Sequence, residues 1–149
     1  MAQLLVAVSD SVFPNLDQAR AVLAKIGAEV RLAADSNPET ILGVARDADA
    51  LLTTYAKITA DMIRQMKRCR IISRFGIGVD NVDIPVATEA KIVVTKVPDY
   101  CLDEVSDHAM ALLLAAARKI TLANTQVHGG RWEMPAVVPI HRLRGSVLG

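Results

Sequence analysis

Short runs of Val, Leu and Ile alternate with amphipathic stretches along the first hundred residues. The runs at Leu4 to Val8, Glu29 to Leu32, Ala50 to Thr53, Ile71 to Arg74 and Lys91 to Val94 are the length of strands. Strands that alternate with helical stretches predict βα units on a mostly parallel sheet. Because each run is nearly continuous rather than alternating, coverage on both faces is expected.

Between the runs, Leu16, Ala19, Val22, Leu23 and Ile26 repeat at helical spacing, and Gly27 follows as a stop. Ser36-Asn37-Pro38-Glu39 has the form of a capping box with an early proline, opening a helix to about Ala45. Thr59 is placed to cap a third helix whose inner face carries Met62, Ile63 and Met66. A short helical turn from Pro85 to Glu89 precedes the fifth strand. After Pro98 the pattern changes to one long helix, Leu102 to Ile120, whose run Ala109 to Ala117 is apolar on every side. Such a helix must be covered from several directions. A five-stranded domain covers one face, so the rest calls for another domain or a second subunit.

Composition narrows the class. A chain of 149 residues supports one core, and 17 Lys and Arg against 16 Asp and Glu leave a net charge of +1. No strong field favours nucleic acid or an anionic membrane, so a small molecule or a protein is the expected partner. Cys69 and Cys101 stand alone, without neighbours at disulfide-framework or zinc spacing, which fits a reducing cytoplasm. The start MAQLLVAV has no basic leader, and the run Ala109 to Ala117 falls far short of the roughly 18 residues of a membrane span. A soluble cytoplasmic chain is expected.

The segment Ser73 to Asp83, SRFGIGVDNVD, places Gly76 and Gly78 directly behind a strand. A dinucleotide loop needs G-x-G-x-x-G opening a long helix, but Asn81 holds the third position and Pro85 interrupts the next segment. The remaining reading is a loop whose glycines permit unusual backbone angles and leave amides bare, a nest suited to a carboxylate. A tight turn alone explains the same spacing, so both readings stand at this level.

SRFGIGVDNVD resembles the substrate-loop signature of the D-isomer-specific 2-hydroxyacid dehydrogenases, the family of phosphoglycerate, glycerate, formate and D-lactate dehydrogenases. Further similar blocks are Val94 to Pro98, Asp103 to His108 with the apolar helix ending Ala117-Arg118-Lys119, Gly130-Arg131-Trp132, and Leu143 to Gly149. The resemblance implies an α/β fold: a flavodoxin-like five-stranded parallel sheet flanked by helices over residues 1–98. Residues 99–149 would then be a long crossing helix and arm leading into a Rossmann domain that lies beyond this chain. It further implies that the amides near Ile77 and Gly78 bind a substrate carboxylate, with Gly76 shaping the turn. Thr53, Thr54 and Tyr55 would face the variable group of a small 2-hydroxy or 2-keto acid, and Asp80 and Asn81 would brace the loop locally. Val105 would lie near the nicotinamide of NAD or NADP, whose binding motif is not in this sequence. The family's catalytic Arg, Glu and His match no residue here; His108, His128 and His141 are read as packing, loop or solvent residues, and no metal site is expected. A homodimer through residues 102–120, and no turnover by this chain alone, complete the expectation.

Two other classes compete. A receiver-type signalling domain has the same architecture, with Asp10 after strand one and Lys96 after strand five, but Leu51-Leu52-Thr53-Thr54 offers no phospho-acceptor Asp. Flavodoxin itself needs a phosphate loop after strand one, and Val8 to Pro14 contains no glycine. A corepressor-like member of the dehydrogenase scaffold, sensing a ligand and presenting a peptide groove, satisfies the sequence as well as an enzyme does.

Overall fold

The computed structural model describes residues 3–149. By compactness the chain divides into Met1–Asp99 and Tyr100–Gly149. The first unit runs β1 (Leu5–Val8), α1 (Asp17–Ala24), β2 (Glu29–Leu32), α2 (Pro38–Ala45), β3 (Ala50–Thr53), α3 (Ala60–Gln65), β4 (Ile71–Arg74), α4 (Ile84–Glu89) and β5 (Val93–Thr95). Its five strands form one sheet in the order β2-β1-β3-β4-β5, and every pairing is parallel. The predicted α/β architecture is therefore the observed one.

Side chains on a strand alternate between faces, and the core divides accordingly. Ala7, Leu51 and Ile72 pack with Ile41 and Ala45 of α2, Met62 and Ile63 of α3, and Ala87 of α4. Val6, Val8 and Val30 point the other way and pack with Leu16 just before α1, Leu23 within it, and Ala28, Ala50 and Leu52. The first face is thickly covered and the second thinly.

That asymmetry corrects two expectations. Helix α1 buries no residue, and Val22 and Ile26, expected on its inner face, are 61% and 62% exposed. The edge strands are not covered on both faces either: Arg31 and Leu32 of β2 and Val93 of β5 are exposed. Each has only one neighbouring strand, so apolar continuity in their sequences does not translate into burial.

Local signals fare better. Thr59 caps α3, its Oγ1 accepting from the Met62 amide at 3.4 Å, and Met62, Ile63 and Met66 are buried. Gly27 ends the α1 segment at φ +69°, a conformation that suits glycine. The cap of α2 is Asn37 rather than Ser36: its Oδ1 accepts from the Glu39 amide at 3.3 Å. Lys91 turns at φ +58°, so β5 starts at Val93, two residues later than the pattern predicts.

In the second unit, α5 (Leu102–Ala117), α6 (Ile120–His128) and a short 3-10 turn, Met134–Ala136, come in sequence. The expected single helix to Ile120 stops at Ala117 because Lys119 adopts φ +52°. No glycine or proline marks that break, which is why the sequence pattern runs through it. Neither α5 nor α6 buries a residue. Among the described residues no helix is long and apolar enough to cross a membrane.

Candidate functional site

In an open parallel sheet, ligands collect beyond the carboxyl ends of the strands, where the strand order reverses. Here the reversal lies between β1 and β3. β1 ends into Ser9 and Asp10, β3 into Thr54-Tyr55-Ala56, and β4 into Phe75-Gly76-Ile77-Gly78.

Asp10 organises the β3 loop. Its Oδ1 accepts from the Thr54 amide at 3.0 Å and its Oδ2 from the Tyr55 amide at 2.7 Å, while the Ser9 hydroxyl donates to Oδ1 at 2.6 Å. The Asp10 carbonyl accepts from Thr54 Oγ1 at 3.2 Å. Burial works against the charge on Asp10, yet the Ser9 hydroxyl and the amides of Thr54, Tyr55 and Ala56 together hold its carboxyl below the usual carboxylate range.

The expected substrate-facing trio divides in consequence. Thr53 is fully buried and its hydroxyl lies 3.4 Å from both Asp10 Oδ1 and the Ala56 carbonyl. Thr54 is also buried, so both hydroxyls are spent inside the fold. Tyr55 alone presents its side chain to solvent, at 69% exposure.

Arg74, the last residue of β4, joins this loop to the glycines. Its Nε donates to the Thr54 carbonyl at 3.1 Å and its Nη1 to the Gly78 carbonyl at 2.8 Å. Neither Gly76 nor Gly78 has a positive φ, so the expected unusual backbone angle is not the reason for glycine here. What marks both positions is crowding by side chains: a Cβ on Gly76 would stand 2.7 Å from Arg74 Nη1 and 2.9 Å from its Cζ, and one on Gly78 2.9 Å from Asp80 Oδ1, so the guanidinium or the carboxylate would have to shift.

The backbone of the loop is half-used. The Gly76 carbonyl accepts from the Val97 amide at 3.0 Å. Among the described residues no acceptor meets the amides of Gly76, Ile77, Gly78 or Val79, although Gly76 is buried. Buried amides are nearly always bonded, and that of Gly76 is an exception; Ile77 and Val79 are half-buried and Gly78 is exposed. Phe75 anchors the loop against Phe13, ring centroids 5.7 Å apart in an edge-to-face arrangement.

Asn81 braces the loop, but over long range rather than within its own turn. Its Nδ2 donates to the Ala56 carbonyl at 2.9 Å and lies 3.4 Å from that of Thr54. Its Oδ1 is buried without a donor. The Ile58 amide donates to the Asn81 carbonyl at 2.8 Å, so the glycine loop is succeeded by a bridge and the six-residue α4. No long helix opens behind Gly78 to receive a pyrophosphate, and the described residues do not fit a dinucleotide there. Val105 lies on α5 in the second unit, exposed. Among the described residues no cluster of His, Cys, Asp or Glu could hold a metal ion.

The description of a known family matches this chain over residues 6–132: D-isomer specific 2-hydroxyacid dehydrogenase, catalytic domain. The chain belongs to that family. A D-3-phosphoglycerate dehydrogenase of Methanocaldococcus jannaschii is 36% identical over 137 residues, which is 91% of this chain and 26% of that protein. A glyoxylate reductase of Aeropyrum pernix is 36% identical over 118 residues, 74% of this chain and 35% of its own. The chain thus spans about a quarter to a third of the length of these curated relatives. Among solved structures, an NADPH-dependent glyoxylate/hydroxypyruvate reductase of Sinorhizobium meliloti in complex with citrate superposes with a TM-score of 0.77 at 25% identity, covering 96% of this chain and 45% of that one. An NAD+-bound 3-phosphoglycerate dehydrogenase of Entamoeba histolytica gives 0.70 at 27% identity, over 79% and 40%.

Within this dehydrogenase family chain, the sequence reveals the glycine loop but not Arg74, which holds it, nor Asp10, which holds the neighbouring β3 loop. In the sequence Asp10 stands out only as a neighbour to a missing phospho-acceptor, and Arg74 only as the end of a strand. One signal is present: both are ionisable residues at the carboxyl ends of inner strands, where sheet-end chemistry collects.

Proposed function

We propose that this chain is the substrate-carboxylate-binding part of a dehydrogenase that exchanges hydride between NAD or NADP and a small 2-hydroxy or 2-keto acid. The row of bare amides at Gly76, Ile77, Gly78 and Val79 carries the reading. An anion accepting from several of them would gain charge-assisted hydrogen bonds of about 1.5–3 kcal/mol each. Arg74 adds an unneutralised positive charge, since it enters none of the ion pairs among the described residues. Tyr55 is the one member of the β3 loop trio free to touch the variable group of the acid. The relatives named for glyoxylate, hydroxypyruvate and phosphoglycerate support a keto or hydroxy acid as the substrate class.

The cofactor supplies or accepts the hydride; none of the described residues is assigned to its phosphates, and Val105 is a proposed neighbour of the nicotinamide by resemblance alone. By the same resemblance the catalytic Arg, Glu and His match nothing in this chain, so the 149 residues by themselves are expected to turn over no NADH. We place a second copy against α5, whose Leu112 and Leu114 are exposed, and expect a dimer in light scattering.

The complete protein should oxidise NADH or NADPH saturably with glyoxylate or hydroxypyruvate. Gly78→Val should raise KM, because the added atoms collide with Asp80 and crowd Arg74; an unchanged KM removes the loop from the site. One observation favours the corepressor-like reading instead: a largely apolar groove of about 670 Å³ lined by residues that include Phe13, Leu16, Val22 and Phe75. Negligible turnover by the complete protein, together with a peptide held in that groove, would establish it.

A further inference from the structure

We propose that Arg74 is a positioning residue for the carboxylate cradle, and that Gly76 is a glycine in order to admit its guanidinium. This inference rests on the carboxylate reading of the glycine loop and goes beyond it in saying what holds the donors in place.

Peptides are planar and trans, so an N–H points opposite to the C=O of the preceding residue; among the described residues the only cis bond is Val138-Pro139. Fixing a carbonyl therefore aims the next amide. The Gly76 carbonyl is fixed by the Val97 amide at 3.0 Å, which aims the Ile77 N–H away from the β5 side. The Gly78 carbonyl is fixed by Arg74 Nη1 at 2.8 Å, which aims the Val79 N–H away from the guanidinium. Without Arg74 the second of these peptides has no partner and is free to rotate, carrying its donor with it.

Arg74 also sets the loop's distance from the rest of the site. Its Nε holds the Thr54 carbonyl at 3.1 Å, and the Thr54 and Tyr55 amides are held from the other side by Asp10 at 3.0 and 2.7 Å. The β3 loop thus sits between a carboxylate and a guanidinium that do not bond each other, and the glycine loop hangs from the second. A planar guanidinium reaches two carbonyls from two separate nitrogens in this way, whereas an ammonium would have to reach both from one.

The close approach at Gly76 is the independent observation. Both its φ and its hydrogen bonding are open to other residues; only the guanidinium, at 2.7 and 2.9 Å from the site of a Cβ, is not. If glycine served the ligand instead, adding a methyl would harm binding whether or not Arg74 were present.

The test is a double-mutant cycle on the 149-residue chain with oxamate as the probe, tracking the amide resonances of residues 76–79 by NMR alongside the thermal midpoint. Arg74→Met and Gly76→Ala should each weaken oxamate about tenfold, with Arg74→Lys recovering only part of the loss. The double variant should bind like Arg74→Met alone, since the group with which the methyl collides is gone. Ligand-free Arg74→Met should also show loosened amides at residues 78 and 79 with the fold intact. Wild-type affinity in Arg74→Met, or losses that simply multiply in the double variant, would overturn the positioning role. Should Arg74→Met fail to fold, Arg74→Gln and Arg74→Lys provide the same comparison. A wild-type chain whose amides ignore oxamate would instead remove the carboxylate reading itself, and this inference with it.

Discussion

The sheet domain and the helical segment after it are about equally rich in apolar residues, and they use them in opposite ways. In the first unit, Ile41, Leu51, Ile58, Ile63 and Ile72 are essentially inaccessible to solvent. In the second, the apolar run of α5 contributes no buried residue, and Leu112 stands 58% exposed. The difference is one of pattern. Strands alternate their side chains between two faces and meet helices whose apolar positions share a stripe, so the face turned to α2, α3 and α4 finds its partner within the same hundred residues. A helix apolar on all sides has more surface than its own α6 neighbour covers.

Paired truncations should break or confirm this contrast. Ile72→Ala removes a core side chain and should cost about 2–5 kcal/mol in urea unfolding. Leu112→Ala in dilute protein should change stability by no more than about 0.5 kcal/mol. A large cost at Leu112 would mean that α5 is already covered in solution, and its decline on dilution would identify a second copy as the cover.

Acid should act on the first unit through Asp10. Its carboxyl is held below the usual value, about 3.9, because hydrogen bonds to the charged form outweigh its burial. The sign comes from linkage: the stabilisation is complete above the unfolded value and is lost as pH falls through the lower folded one. Asp49 behaves alike, its carboxyl lowered first by the Leu5 amide and then by Arg68. Asp10→Asn should therefore flatten the fall of the thermal midpoint below about pH 4, and should loosen the Tyr55 amide in hydrogen exchange. An unaltered acid limb would show that Asp10 does not fix the β3 loop.

The smallest effect is expected at the break between α5 and α6. Lys119 adopts φ +52°, a strain that glycine avoids, although glycine also loosens the unfolded chain. Lys119→Gly should raise stability by less than about 1 kcal/mol, as read by urea titration. A loss of stability would place a needed contact on the lysine side chain.

These contrasts also mark how far the sequence can be read. Five strands and their order of appearance are legible in the apolar runs, and Thr59 and Gly27 act as their identities predict, because capping and chain reversal are local events. Ser36 fails as a cap because Asn37, one residue on, has an oxygen of suitable reach for the same turn. Val22 and Ile26 fail as core because periodicity tells which face of a helix is apolar and not how closely that face lies on the sheet. The break at Lys119 leaves no mark, since a left-handed lysine looks like any other in a helical run.

The candidate site shows the same division. SRFGIGVDNVD is enough to indicate the family and the loop, for glycine spacing behind a strand is written in consecutive residues. The sequence does not say why the glycines are there. That requires knowing that Arg74 folds back over Gly76 and that Asp10, 44 and 45 positions before the amides of Thr54 and Tyr55, reaches across from another strand. Local spacing settles which backbone groups can be left bare; only the packing of β1, β3 and β4 side by side decides which charges arrive to hold the loops that carry them, because Asp10 and the β3 loop are distant in the chain and close in space.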